Sequence, residues 1–238
     1  MNNQENNDQL QALYPFLSNK KSDVGVINQA LLDSIDQKIE QHQRIVSEFF
    51  TKNAQAVADC AGAIAEMYKK NGRLFTMGNG GSSSDASHIA VEFLHPVTTG
   101  RPALPAYDLS CDKTLMTAIA NDVGYQHVYS RQVTALMNKG DALIGVSTSG
   151  NSGNLVKALL SAKKIGAVTI ALTGGKGGEM AKLNLDHCLI VGSDSIHRVQ
   201  ECHVAIYHVL WDLVHTLLAD DRGHLNDSTS KEIDNEIR

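Results

Sequence analysis

Apolar residues return along this chain with two different periods. From Leu32, the positions Ile35, Ile39, Val46, Phe49 and Phe50 recur at helical spacing, and beyond Lys52-Asn53 a second set follows at Val57, Ala61, Ile64 and Tyr68. The spacing predicts two amphipathic helices. Next, "GRLFTM" is a short unbroken apolar run ended by Gly-Asn-Gly-Gly, the pattern of a buried strand emptying into a tight turn. The two kinds of segment then alternate. "HIAVEFL", "KTLMTAIAND", "VYSRQVTALMN" and "GNLVKALLSAKKIG" have helical spacing, while "ALPAYDL", "DALIGVS", "AVTIALT" and "HCLIV" resemble strands. A short helix is expected near Met180. The last helix, residues 196 to 219, carries Val199, Cys202, Ile206, Val209, Leu210 and Leu213 as its apolar stripe. Strands alternating with helices predict an α/β fold: a three-layer, doubly wound parallel sheet with two added N-terminal helices. Residues 1 to 24, rich in Asn and Gln, read as a flexible arm, residues 25 to 220 as a single domain, and residues 221 to 238 as a polar tail.

Composition narrows the function classes. At 238 residues and 42% hydrophobic content the chain can bury a substantial core. Its 21 Lys and Arg are outnumbered by 26 Asp and Glu and are scattered, which argues against nucleic acid as a partner. The N-terminus lacks the basic-then-apolar order of a signal peptide, and no apolar run approaches the roughly 18 residues that span a bilayer. The expectation is a cytoplasmic protein with no membrane partner. Cys60, Cys111, Cys188 and Cys202 are far apart, which argues against both a disulfide framework and a thiolate zinc site.

Ligands of parallel sheets collect beyond the carboxyl ends of the strands. Three Gly-rich stretches fall there: "GNGGSSSD" after residue 77, "STSGNSGN" from 147 and "GGKGGE" from 174. A dinucleotide fingerprint fails because Ser83 stands where the third glycine is needed, and no Walker loop occurs. "STSGNS" instead offers the hydroxyls of Ser147, Ser149 and Ser152 on a turn entering a helix, which suits a monophosphate ester. Plain helix capping is the competing reading. His88 and Glu92 are four apart, so on a helix they share a face and can converge on one metal or proton, although such pairs also occur on solvated faces. On the last helix Gln200, His203, His208 and His215 remain to be divided among surface, core and site.

Together "GNGGSSSDASH...E", "AIANDVG", "GVSTSGNSGNLVKAL", "ALTGGKGGEMA" and "RVQECHVAIYHVL" resemble the sugar isomerase (SIS) domain family, over roughly residues 28 to 217 and in its phosphoheptose isomerase branch. The resemblance implies a doubly wound, flavodoxin-like fold. It also implies conversion of D-sedoheptulose 7-phosphate to D-glycero-D-manno-heptose 7-phosphate, a precursor for lipopolysaccharide or other glycoconjugates. By the same resemblance the sugar phosphate would be held by Asn79, Gly80, Gly81, Ser82, Asp108, Ser147, Thr148, Ser149, Ser152 and Gln200. Zinc would be held by His88, Glu92, Gln200 and His208. Glu92 and His208 would be the acid-base pair of an enediol mechanism. An alternative within the family is a non-catalytic adaptor of the DnaA initiator-associating type, or an isomerase for a different sugar phosphate. Two departures from the family pattern stand near the site: after Glu92 the chain reads Phe-Leu-His-Pro where Leu-Thr-Gly-Arg is usual, and His197 takes the place of a common aspartate. Gln200 and His208 are eight residues apart, about 12 Å along a helix axis. Family tetramers and that separation together imply a homotetramer in which more than one chain completes each site.

Overall fold

The computed structural model describes residues 24–98 and 100–219. The expected arm, apart from Val24, and the expected tail lie outside the described residues. Contacts divide the chain into two units, one ending at Gln41 and the other beginning at His42. In the first, Leu31, Leu32, Ile35 and Ile39 lie exposed on the opening helix.

That helix, α1 (Val24–Lys69), corrects the expectation of two N-terminal helices: it runs unbroken for 46 residues. Lys52-Asn53 contains no glycine or proline, and its polar neighbours bond back into the helix instead of ending it. Thr51 Oγ1 donates to the Ser47 carbonyl at 2.7 Å and Asn53 Nδ2 to that of Phe49 at 2.9 Å. Asn53 sits half-buried within the apolar stripe, which continues in phase through Val57, Ala61, Ile64 and Tyr68.

Five parallel strands follow: β1 (Leu74–Gly78), β2 (Ala106–Asp108), β3 (Ala142–Ser147), β4 (Val168–Gly174) and β5 (His187–Val191). Their order is β2-β1-β3-β4-β5. β1, β3 and β4 are buried almost throughout, as strands covered on both faces must be. The connecting helices are α2 (Gly81–Leu94), α3 (Lys113–Val123), α4 (Val128–Leu136), α5 (Gly153–Ile165) and α6 (Ile196–Ala219). One core joins the second half of α1, α2 and α6 to one face of the sheet, and a second joins α3, α4 and α5 to the other. This is the doubly wound, three-layer fold expected. The chain leaves β1 toward β2 on one side and returns to β3 on the other, so the crevice between the ends of β1 and β3 is the switch point where such sheets bind ligands.

The buried arc of α6 differs from the expected stripe. Val209 is exposed and Leu213 half-buried, whereas His203, Tyr207, Val214, His215 and Leu218 are buried. The arc is turned and widened because α6 packs against both β4 and α2. By length and mean hydropathy α6 would pass for a membrane span, yet half of that window is buried within the protein, as in a core helix.

His203 makes this packing sensitive to pH. It is fully buried, its Nε2–H donates to the Thr173 carbonyl at 3.1 Å, and burial pulls its pKa down to about 4. The folded protein therefore holds it neutral where the unfolded chain, at about 6.5, takes up a proton. Stability from this residue is complete above pH 6.5 and falls as pH drops toward 4, by roughly 3 kcal/mol. Denaturant unfolding at pH 7 and pH 4 is expected to show a loss larger in the wild type than in His203→Gln by about that amount; parallel losses would refute it.

Candidate active site

Two loops meet at the switch point. After β1 the chain turns at Asn79-Gly80 and enters α2, with Ser82 N–H donating to the Asn79 carbonyl at 3.1 Å. Gly80 has φ 55° and ψ −126°, a conformation that only glycine adopts readily. The start of α2 has no side-chain cap. Thr76 Oγ1, from within β1, donates to the Ala86 carbonyl at 2.8 Å and fixes α2 against its strand. Asn79 is held from outside the loop: it exchanges amide hydrogen bonds of 2.9 Å with Asn154 of α5, and its Oδ1 also accepts from Tyr125 Oη at 2.9 Å.

The second loop follows β3. Ser147 and Ser152 hydroxyls meet at 3.1 Å, and Ser149 Oγ accepts from Asn151 N–H at 3.2 Å. Ser152 is the N-cap residue of α5 but makes no capping bond with its side chain, so simple capping does not account for it. Both helices thus bring amide groups without side-chain caps toward one crevice, a setting that favours an anion. Thr148 and Ser149 also line a cavity of about 310 Å³ with Lys176 and Asp194. A larger, mostly apolar depression of about 480 Å³ beside α3 and α4 contains none of these residues.

Asp108 ends β2, where it stands level with Thr76 of β1. Its Oδ1 accepts from Ser110 N–H at 2.8 Å, and the Cys111 thiol lies 3.0 Å from its Oδ2, so it bonds within its own turn.

Two turns into α2, His88 and Glu92 share a face as their spacing required, with His88 Nε2 3.0 Å from Glu92 Oε1. α6 brings His208 to them: donor atoms of His88, Glu92 and His208 lie within 4.8 Å of one another, all from one chain. Around a tetrahedral zinc with bonds near 2.1 Å, ligand atoms stand ~3.4 Å apart. Two imidazoles and a carboxylate at these separations fit that ion with small side-chain movements. The Gln200 amide nitrogen donates to Asp85 Oδ2 at 3.1 Å and its amide lies over Gly81, where an added Cβ would stand 2.9 Å away. That bond uses the amide nitrogen and not Oε1, the amide's metal-ligating atom.

Sequence reasoning missed Asp85 and Tyr207. Asp85 is buried one turn before His88; burial raises its pKa, offset in part by the Gln200 hydrogen bond and the nearby His88. Its i,i+3 relation to His88 was a usable signal. Tyr207 packs edge-on to His88 and His208 at centroid distances of 5.2 and 4.8 Å, and nothing in its sequence position separates it from a core aromatic. The Arg101 guanidinium lies 4.4 Å over the Trp211 ring and pairs with Asp212, while Trp211 Nε1 donates to the Glu92 carbonyl at 2.8 Å.

A parallel sheet with this switch-point site defines a sugar-isomerase-type α/β domain, and the profile of the SIS domain matches residues 39–174. Phosphoheptose isomerases of Thermodesulfovibrio yellowstonii and Desulfovibrio desulfuricans are 40% and 42% identical to the chain. These matches cover 78% and 79% of this chain and 92% and 89% of those proteins. The solved phosphoheptose isomerase of Francisella tularensis superposes with a TM-score of 0.75 at 34% identity, over 78% of this chain and 98% of the other. That of Neisseria gonorrhoeae gives 0.74 at 33%, over 78% and 99%. The chain belongs to the phosphoheptose isomerase branch of the SIS-domain family, and it is an isomerase.

Proposed function

We propose that the chain converts D-sedoheptulose 7-phosphate to D-glycero-D-manno-heptose 7-phosphate, supplying heptose for lipopolysaccharide or other glycoconjugates. The observation that carries this reading is the convergence of His88, Glu92 and His208 beside two serine-rich loops at the switch point. The names of the relatives support the substrate. His88 lies about 10 Å along α2 from Gly81 at 1.5 Å per residue, within reach of a sugar phosphate whose far end occupies the loops.

Ser82, Ser147, Thr148, Ser149 and Ser152 hold the phosphate with hydroxyl and amide donors, backed by the starts of α2 and α5. Asn79, Gly80, Gly81 and Asp108 border the sugar; Gly80, where a Cβ would meet nothing within 4 Å, leaves room for it. Glu92 takes the proton from C1 of the ketose and returns it to C2. His208 moves the accompanying proton between the two oxygens: it protonates O2 as the enediol forms and accepts the O1 proton as the aldose carbonyl appears. His88, Glu92 and His208 would hold zinc, with Gln200 Oε1 as fourth ligand while its amide nitrogen keeps Asp85. Bound there, zinc supplies Lewis-acid polarisation of the substrate carbonyl. We further propose a cytoplasmic homotetramer, supported by the exposed Leu31, Leu32, Ile35 and Ile39 of α1.

The test is incubation of purified protein with D-sedoheptulose 7-phosphate, followed by NMR with and without added zinc. A new aldose heptose phosphate is expected, faster with zinc. No conversion under either condition, alongside turnover of another ketose phosphate, would overturn the substrate assignment.

A further inference from the structure

A neutral imidazole offers a lone pair at only one of its two nitrogens, so a histidine ligand works in one tautomer only. For His88 the two nitrogens have different neighbours. Nε2 stands 3.0 Å from Glu92 Oε1, on the side where the donor atoms converge, and Nδ1 lies 2.7 Å from the Tyr207 hydroxyl. If Nδ1 carries the proton and gives it to Tyr207, Nε2 presents a lone pair toward Glu92 and His208. If Nε2 carries the proton, the same atom donates to Glu92 and cannot bind an ion.

We propose that Tyr207 is a positioning residue for this site: by accepting the Nδ1–H of His88 it holds the imidazole in the tautomer and orientation that expose Nε2 to a metal. The inference rests on reading His88, Glu92 and His208 as metal ligands. A hydrogen bond to the far nitrogen of a ligand histidine is the usual way a protein sets both ring angle and tautomer. Here the acceptor is a neutral phenol in place of the more common carboxylate or carbonyl. Two observations support it. Tyr207 is only 2% exposed, so its hydroxyl is held in one place. Its ring stands edge-on to both histidines, at interplanar angles of 73° to His88 and 63° to His208, and so limits the rotation of each. Position 207 is thereby chemical as well as structural.

Tyr207→Phe removes the hydroxyl and keeps the ring. The full chain, first stripped of metal, is studied by long-range proton–nitrogen correlation NMR, with the His88 signals assigned by their loss in His88→Gln. The wild type is expected to show the Nδ1–H tautomer and Tyr207→Phe a mixture of both. Zinc affinity, measured by competition with a chromophoric chelator, is expected to fall about 10- to 100-fold in Tyr207→Phe. The thermal midpoint of the metal-free variant should stay near that of the wild type. An Nε2–H tautomer in the wild type overturns the proposal, and this measurement needs no variant to fold. Unchanged tautomer and unchanged affinity in Tyr207→Phe overturn it as well. Should the wild type bind no zinc, the ligand reading fails separately, and the tautomer comparison still decides whether Tyr207 governs His88.

Discussion

Replacing Glu92 by Gln is expected to lower turnover by at least the ~100-fold that accompanies loss of a general base. The amide has the size of the carboxylate and can still accept a hydrogen bond, but it cannot take a proton from carbon. Glu92 is half-buried on the face of α2 turned toward α6, and its backbone carbonyl, not its side chain, receives the Trp211 indole bond. The fold should therefore survive. The phosphate loops are built from other residues, so binding of the sugar phosphate, followed by calorimetry, should persist while conversion stops. Since Glu92 is also a proposed ligand, zinc content should be measured on the same samples: a variant that keeps its zinc and loses turnover isolates the base. Near-normal turnover in Glu92→Gln would rule out this mechanism.

Gly150→Ala is expected to cost roughly 2–5 kcal/mol of stability and to weaken substrate binding through the same disturbance. Two penalties coincide there. Gly150 has φ 65°, where a Cβ costs about 1–2 kcal/mol. That Cβ would also fall on the Gly177 carbonyl oxygen and stand 2.6 Å from Thr173 Oγ1, and forcing atoms into packed space costs about 1–3 kcal/mol more. The Gly150 carbonyl accepts from Met180 N–H at 2.9 Å, so displacement of this residue also breaks a bond to the next loop. Gly150 lies between Ser149 and Ser152, and any relief of the clash moves the hydroxyls proposed to hold the phosphate. Denaturant unfolding and the Michaelis constant should shift together. Gly153→Ala is the matched control, since a Cβ there meets nothing within 4 Å. Equal behaviour of the two variants would show that the loop is not held by this contact.

Gly150 also illustrates a limit of sequence reading. The stretch "GGKGGE" was visible as a third glycine-rich turn, with no role attached to it. In the folded chain it is the backing of the second loop: a Cβ on Gly178 would fall against the Ser149 carbonyl and Asn151 Oδ1, and Glu179 N–H donates to that Asn151 oxygen at 3.0 Å. Glycines in a sequence announce that backbone must approach something closely. They do not name what it approaches, because the partner is 28 residues or so away and arrives only when β3 and β4 pair.

The sequence by itself determined what short-range periodicity encodes. Unbroken apolar runs ended by glycine marked β1, β3 and β4, the 3.6-residue pattern marked α5 and α6, and the four-residue spacing put His88 and Glu92 on one face. Each of these follows from local geometry, and the alternation of strand and helix then leaves few topologies for a parallel sheet. Tertiary structure alone decided the azimuth of α6 and with it the site. A helical pattern gives the buried stripe to about one residue, and one residue is a 100° turn. Docking of α6 against both β4 and α2 turned Val209 outward and Tyr207 inward, and it carried His208 to within 4.8 Å of a pair 116 residues earlier in the chain. No local pattern encodes that approach, because it depends on where two helices come to rest on one face of a sheet that neither of them forms.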